Sequence, residues 1–147
     1  MVEWIRPVYD RTQADVDYAL SQISLGNNAT EYKGCFNLTD INRIENNIRY
    51  LSDTLNTLLY QNIGVVTKSW EMSDIPNITE IARILGNISY LIQCYYISDD
   101  AKALPTTILT YEDANVIEET LHLIKVMIDD MVSSFRECGT FNCGEEG

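Results

Sequence analysis

Apolar residues recur every three or four positions along three stretches of the chain. A helix turns every 3.6 residues, so this spacing places each set on a single stripe of a helix. The sets are Ile41, Ile44, Ile48, Leu51, Leu55 and Leu58; Ile81, Ile84, Ile88, Leu91 and Tyr95; and Ala114, Ile117, Leu121, Ile124, Ile128, Met131 and Phe135. Such heptad stripes predict three helices that pack side by side at shallow angles.

The first two stretches are copies of one another. Residues 37–51 align with residues 77–91 at a constant offset of 40, and nine of the fifteen positions are identical. A weaker third copy, at an offset of 73, repeats three residues of the first. The matched pairs are Asn42 with Asn115, Ile44 with Ile117, and Glu45 with Glu118. We therefore predict one helical element used three times, over about 37–61, 77–97 and 110–135, followed by a C-terminal tail at 136–147.

Polar residues that can cap helices stand before each predicted helix. Thr12 with Asp15 resembles a capping box and opens a shorter helix over about 13–24, which ends at Gly26. The box is repeated before the third copy by Thr110 with Asp113. For the other two copies the candidate caps are Asn37 or Thr39 and Asn77 or Thr79, with Asp40 and Glu80 placed near the positive end of each helix dipole.

Long connectors separate the repeats. About 16 residues, 62–77, precede the second helix and about 13, 98–110, precede the third, whereas loops in helical bundles usually have 2–8 residues. An extended connector of this length can return along a whole helix, so both parallel and up-down packing of the helices are compatible with the sequence. We expect Trp70, like Trp4, to anchor an extended segment on the helices.

The resulting prediction is a mainly α chain that forms a single domain over residues 1–147. It is a bundle of three related heptad helices with a short N-terminal helix, joined by long extended connectors. The candidate core and assembly residues are Trp4, Ile41, Ile44, Ile48, Leu51, Trp70, Ile81, Ile84, Ile88, Leu91, Ile117, Leu121 and Ile124. Asn47 and Asn87 precede a stripe isoleucine in both copies, and we expect each to bond to a neighbouring chain segment.

Charge argues against several kinds of partner. The 147 residues carry 10 Lys and Arg against 22 Asp and Glu, a formal net charge of −12. Nucleic acids and anionic membrane surfaces require clustered positive charge, so neither is expected as a partner. No run approaches the roughly 18 apolar residues that span a bilayer, and the N-terminus lacks the features of a signal peptide. We therefore expect synthesis in the cytoplasm.

Candidate chemistry is sparse. Cys138 and Cys143 form the only close pair of cysteines, and one pair with the sole His122 cannot complete a zinc site. An oxidised or redox pair and two ordinary thiols in a C-terminal turn both remain open. Neighbouring carboxylates are expected on helix surfaces, where nothing raises the pKa of one of them. Without a nucleophile motif or a phosphate-binding loop, we predict no enzyme activity, no metal and no cofactor.

Two of the copies carry a further resemblance. A Trp-led polar run at 70–76 precedes residues 79–91, which follow the pattern Asn/Ala-Arg-Ile-x-x-Asn-Ile-x-Tyr-Leu. Residues 39–51 follow the same pattern. This pattern resembles a repeated element of structural proteins of tailed phages and of prophages of Gram-positive bacteria. The opening residues 4–18, and Leu104-Pro105 leading to 115–118, are similar to segments of such proteins as well. The second copy departs from the first at Leu85 and Gly86, and the third lacks the Arg.

The resemblance implies a non-catalytic part of a virion, of the tail or baseplate, that acts through assembly with other tail proteins and with copies of itself. It also implies synthesis in the bacterial cytoplasm and incorporation into the virion. From a different class, a free-standing cytosolic helical regulator that binds proteins is the alternative.

Overall fold

The computed structural model describes residues 2–27, 31–35, 37–59, 64–74, 77–94, 104–105 and 110–140. Over these residues the chain is mainly helical, with four helices and no strand. Among the helices described, none is long and apolar enough to cross a membrane.

Helix α1 spans Gln13–Ser24, as the capping pattern predicts. The backbone N–H of Asp15 donates to Thr12 Oγ1 at 3.3 Å, and the Thr12 N–H donates to Asp15 Oδ2 at 2.9 Å. This reciprocal pair satisfies two of the free N–H groups at the helix start. The helix ends before Gly26, whose φ of 84° is a left-handed conformation that glycine adopts without strain.

The three longer helices are α2 (Leu38–Leu59), α3 (Ile78–Cys94) and α4 (Tyr111–Thr140). Asn77 Oδ1 accepts from the N–H of Glu80 at 2.9 Å, which makes Asn77 the cap of α3. At α4, Thr110 Oγ1 accepts from the Asp113 N–H at 3.2 Å, and the Asp113 carboxylate accepts from the Thr110 N–H at 3.1 Å. The predicted capping residues therefore begin α3 and α4. At α2 the Asn37 N–H donates to Asp40 Oδ2 at 2.8 Å, whereas the Asn37 side-chain amide donates to the carbonyl of Tyr32 and caps no helix N–H.

Helix α4 is longer than predicted. It runs to Thr140, so residues 136–140, which the sequence analysis placed in a tail or turn, are helical. Arg136 and Glu137 are good helix formers and no proline follows Phe135, so the helix continues after its apolar stripe ends. The rest of the predicted tail, the ends of the first two repeats and Tyr95 lie outside the described residues, as do the side chains of Leu58 and Phe135.

Helices α2, α3 and α4 each contact the other two. The buried apolar side chains that they share come from the predicted stripes, together with one residue of the first connector. They are Ile41, Ile44, Ile48, Leu51, Leu55, Trp70, Ile84, Leu85, Ile88, Leu91, Ile117, Leu121, Ile124 and Ile128. Burial of these side chains removes apolar surface from water, which is the main favourable term in folding.

Contacts at two levels show that α2 and α4 run in the same direction. Near the helix starts, Arg43 of α2 pairs with Glu118 of α4. Two turns later on both helices, Lys125 Nζ of α4 lies 5.8 Å from the ring centroid of Tyr50 of α2. Since both contacts advance by seven residues on each helix, the pair is parallel, a choice that the sequence left open.

Two non-helical segments lie against the helices. Residues 2–11 precede α1, and residues 64–71 belong to the first long connector. Within the second connector the structure describes Leu104 and Pro105, and Leu104 packs against the core. Residues 65–70, which include the β-branched Val65, Val66 and Thr67, are neither helical nor part of a strand.

Helix α1 packs closely on the turn at 31–35. A Cβ atom built on Gly34 would overlap the backbone of Asp15 and Val16, so only glycine fits at this crossing. Nearby, the rings of Tyr18 and Tyr32 meet edge to face with centroids 5.9 Å apart. Gly34 therefore sets how closely α1 approaches the turn.

We predict that Gly34→Ala lowers the free energy of unfolding by about 1–3 kcal/mol, because the added methyl group forces the two backbones apart. Gly86→Ala is the matched control: a Cβ at Gly86, on the exposed side of α3, meets nothing within 4 Å. That substitution is expected to stabilise the protein by about 0.5–1 kcal/mol. Urea denaturation followed by circular dichroism measures both, and equal effects of the two substitutions would contradict the close packing.

Candidate functional site

Most of the predicted core and assembly residues lie inside the chain's own core. Trp4 and Ile81 are partly buried and pack against it, and the other eleven are buried: Ile41, Ile44, Ile48, Leu51, Trp70, Ile84, Ile88, Leu91, Ile117, Leu121 and Ile124. A buried side chain is not available to a partner without rearrangement of the fold. A role for these residues between subunits stays a prediction, and the polar residues around them define the candidate site.

Glu118 of α4 is the centre of a first buried cluster. Its side chain is 1% exposed, and Arg43 of α2 binds both of its oxygens, with Nε donating to Oε1 at 2.6 Å and Nη2 donating to Oε2 at 2.9 Å. Arg11, from the segment before α1, donates from Nη2 to Oε2 at 2.8 Å. One carboxylate thus joins two helices and the N-terminal segment.

Asp40 balances the charge of this cluster. Its Oδ1 accepts from Nη2 of Arg11 at 3.0 Å and also from Nη2 of Arg43, so two guanidinium groups face two carboxylates. Burial alone would lower the pKa of Arg43, but the hydrogen bonds and charges of Glu118 and Asp40 outweigh it and raise that pKa above its usual range. Arg43 is therefore a permanently charged member of the cluster.

Two asparagines hold the backbone of residues 2–11 on the helices. Asn47 of α2 accepts from the N–H of Ile5 at 3.0 Å and donates to its carbonyl at 2.8 Å. Asn115 of α4 makes the same two bonds to Arg11: it accepts from the Arg11 N–H at 3.2 Å and donates to the Arg11 carbonyl at 2.9 Å. Each side-chain amide takes the place of a neighbouring strand and satisfies one donor and one acceptor of an extended backbone. The expectation that Asn47 bonds to another chain segment is confirmed.

Glu45 of α2 is the centre of a second buried cluster, between α2, α3 and the first connector. Arg83 of α3 binds both oxygens, with Nη1 donating to Oε1 at 2.8 Å and Nη2 donating to Oε2 at 2.7 Å. Trp70 Nε1 and the Lys68 N–H donate to Oε2 at 2.7 and 3.2 Å. The hydrogen bonds that Arg83 donates to Glu45 raise the pKa of Arg83, against the opposing effect of burial.

Asparagines again hold the extended backbone beside this cluster. Asn42 of α2 accepts from the Trp70 N–H at 2.7 Å and donates to the Trp70 carbonyl at 3.1 Å. Asn87 of α3 donates to the carbonyl of Val66 at 2.9 Å. The expected bond from Asn87 to a neighbouring segment is thereby confirmed, as is the expectation that Trp70 anchors an extended segment.

The two clusters are built from equivalent repeat positions. At the offset of 73, Asn42 and Glu45 correspond to Asn115 and Glu118. The residues of the other helix in each cluster correspond as well, at the offset of 40. Arg43 and Asn47 of α2 in the first cluster match Arg83 and Asn87 of α3 in the second. Arg11 and Trp70 have matching roles, since each is clamped through its backbone and donates from its side chain to the buried glutamate. The sequence repeat is therefore also a repeat of interactions.

Sequence reasoning missed these buried charges. It placed neighbouring carboxylates on helix surfaces, which is wrong for Glu118 of the pair Glu118-Glu119, and it did not predict the burial of Asp40 and Glu45. A signal was present in the chain, because an Arg is kept at the same place in the first two copies and a Glu follows the same Asn-x-Ile in the first and third. The sequence does not show which arginine of another helix pairs with each glutamate.

The site offers little for catalysis. Every oxygen of Glu45 and Glu118 accepts a hydrogen bond, mostly from guanidinium groups, so neither carboxylate is placed to move a proton. Within the described residues, no group of three or more His, Cys, Asp or Glu side chains could hold a metal ion. The side chain of Cys138 and all of Cys143 lie outside those residues, and His122 of α4 contacts the ring of Tyr9 with centroids 5.2 Å apart.

Comparison of the chain with protein-family models, with curated proteins and with solved structures finds no match. The function of the chain is therefore inferred from the two clusters and from its sequence.

We predict that Glu118→Gln lowers the free energy of unfolding by about 3–5 kcal/mol, because it leaves two buried guanidinium groups short of a negative charge. The matched control is Asp129→Asn on the same helix, which breaks the exposed pair between Lys125 and Asp129 and should cost less than about 0.5 kcal/mol. Urea titrations of both variants test this. Similar small losses in the two variants would show that the cluster contributes little to stability.

Proposed function

We propose that this protein is a non-catalytic structural or adaptor subunit of a phage tail or baseplate, or of a phage-derived contractile particle. The resemblance of residues 39–51 and 70–91 to structural proteins of tailed phages supports the class of particle. The geometry of the two clusters supports a structural role. Other tail proteins and further copies of the chain are its proposed partners, and the virion its final location after synthesis in the bacterial cytoplasm.

The proposal rests on the partners of the two buried glutamates. In an enzyme, perturbed buried charges usually converge on a cleft that receives substrate. Glu118 and Glu45 instead receive Arg11 and Trp70 of the same chain and join extended segments to helices. Such links fix the position of surface segments, as an assembly subunit requires.

For the arrangement of the whole chain we propose three parallel heptad helices with an extended segment returning along each groove. Parallel helices require a connector as long as the helix, about 33 Å for the 22 residues of α2. The 18 residues between Leu59 and Ile78 are long enough for that return. Parallel packing therefore explains the length of the connectors, since an up-down bundle needs only short loops.

A free-standing cytosolic protein that binds another protein is the second candidate. It is favoured by α1 and the residue after it, which leave large apolar side chains exposed: Tyr18, Leu20, Ile23 and Leu25. Exposed apolar surface of this kind marks protein contacts without indicating a particle.

Immunogold labelling of particles purified from an induced bacterial culture tests the proposal. We expect an antibody against this chain to label tails or baseplates at one position along the tail, since a structural subunit occupies symmetry-equivalent sites. An antibody against an abundant cytosolic protein is the control for carry-over. Unlabelled particles, together with the chain recovered only from the soluble lysate, would overturn the proposal and favour the cytosolic candidate.

A further inference from the structure

A polar stripe on α4 receives the N-terminal segment. Its members lie three or four positions apart along the helix: Asn115, Glu118, His122 and Lys125. Asn115 and Glu118 bind Arg11. Further along α4, the ring of His122 contacts that of Tyr9, and Lys125 Nζ lies 5.7 Å from the ring centroid of Trp4. Residues 4–11 therefore run antiparallel to α4 and contact it over about three turns.

In the second cluster the equivalent residues, Asn42 and Glu45, belong to α2. They receive residues 64–71, the segment that follows α2 in the chain and leads into α3. Helix α4 is the last of the described helices, and its stripe receives a segment from the opposite end of the chain. The contact of α4 with residues 2–11 is thus a head-to-tail contact between two different surfaces. A contact of this kind can be made between copies as well as within one.

The part of the chain that carries the N-terminal segment is held mainly by polar contacts. Of residues 2–11, the buried ones are Pro7 and Arg11, and α1 buries Ala19. The three longer helices, in contrast, supply nearly all of the buried apolar core. Because exposure of apolar surface is the main cost of opening a fold, residues 2–24 are the least costly part of the bundle to release.

An exposed turn joins residues 2–24 to the rest of the chain. Leu25 caps the end of α1, and Gly26 follows it with a φ of 84°. Leu25, Gly26 and Asn27 are all exposed. Hinges are a few residues at the end of an element that absorb a large change of φ and ψ. The turn at Gly26 meets this description, since it can straighten without exposing a buried side chain.

Apolar side chains are exposed beside this turn. Leu20 and Ile23 share one face of α1 and are 59% and 43% exposed, and Leu25 is 72% exposed. Exposed apolar surface of this kind marks a contact with another protein. When two copies exchange an element reciprocally, their hinges lie side by side, so these residues of one copy can be covered by those of the other.

We propose that two copies of the chain exchange residues 2–24, so that the N-terminal segment of each lies on α4 and α2 of the other. The structure shows the ligand of this site directly, and the second copy supplies the same residues. Arg11 then binds Glu118 and Asp40 of the other copy, and every contact of the segment is kept.

Concentration decides between the closed and the exchanged form. A segment attached to its own chain by a short connection acts at an effective concentration of about 1 mM. Exchange therefore requires a protein concentration of that order, or the close approach of copies in an assembly. The inference rests on the proposed assembly with further copies. Its test uses the purified protein, so that a negative result is distinct from absence of the chain from particles.

Isotope-filtered NMR of the wild-type chain tests the exchange. Equal amounts of isotope-labelled and unlabelled protein are unfolded together and refolded at about 1 mM, and the dimer is isolated by gel filtration. Nuclear Overhauser effects between the rings of Tyr9 and His122, whose centroids lie 5.2 Å apart, are expected between labelled and unlabelled copies. A chain that stays monomeric, or a dimer without these effects between copies, would overturn the proposal.

A change at the hinge should favour the dimer. We expect Gly26→Ala to raise the association constant at least about fivefold, because a side chain is strained at positive φ in the closed turn and relaxed in a straightened one. Gly86→Ala is the matched control and should change the constant less than about twofold; a Cβ meets nothing within 4 Å at either position. Sedimentation equilibrium measures both, and equal effects would contradict the exchange.

Mixing two damaged copies provides a further test. Arg11→Gln alters the segment and leaves its groove intact, whereas Glu118→Gln alters the groove and leaves the segment intact. Refolded together, they should form heterodimers in at least about tenfold excess over either homodimer, because one cluster is complete in each heterodimer. Native mass spectrometry measures the ratio.

The matched control for mixing is Trp70→Phe with Glu45→Gln, the corresponding pair of the second cluster. Residues 64–71 are attached to helices at both ends, so this mixture should show no excess of heterodimer. Equal heterodimer formation in the two mixtures would overturn the proposal. If a variant fails to fold, the NMR measurement on the wild-type chain decides the question.

Discussion

The placement of residues 2–11 and 64–71 on the helices depends on the pairing of buried carboxylates with arginines between helices. A charge taken out of water is tolerated only when partners surround it, and a buried pair that loses one partner is strongly destabilising. Glu118 meets this condition through Arg43 of a neighbouring helix and Arg11 of the N-terminal segment. Glu45 meets it through Arg83 and the indole of Trp70. The helices and the two extended segments therefore specify one another, because neither cluster is complete until all its parts are in place.

The two polar clusters lie between α2 and α4 and between α2 and α3. The residues at the equivalent positions of the remaining pair, α3 and α4, differ in chemistry. Where α2 has Asn42 and Glu45, the aligned positions of α3 hold Ala82 and Leu85; where α2 has Arg43 and Asn47, those of α4 hold Val116 and Thr120. Leu85 is buried in the core, and Leu104 of the second connector packs against that core. The side chains that the non-helical residues place against the helices therefore differ. Arg11 is charged, Trp70 combines an apolar ring with an N–H donor, and Leu104 is apolar. The difference between Arg11 and Trp70 gives residues 2–11 and 64–71 different preferred positions and disfavours exchange between the two clusters.

Local patterns predicted the helices and their caps because those features depend on neighbours in the sequence. The box of Thr12 and Asp15 located the start of α1, and the stripe from Ile41 to Leu55 located the buried face of α2. The direction of the helices was not predictable, since a heptad stripe is the same in parallel and antiparallel packing. The burial of Glu45 and Glu118 was not predicted, because the arginines that pair with them come from other helices. Long-range pairing of polar residues is what a single sequence conceals.

The structure implies that side chains hold residues 2–11 and 64–71 on the helices, since the described residues form no β-sheet. Native-state hydrogen exchange tests it most directly, because the N–H groups of Ile5, Arg11, Lys68 and Trp70 donate to Asn47, Asn115, Glu45 and Asn42. We expect these four amides to exchange at least about tenfold more slowly than those of Thr67 and Ser69 in the same connector, for which the described residues provide no acceptor. Uniformly fast exchange along both segments would contradict the account, since it would mean that the extended segments are not held by the asparagines and the buried glutamates.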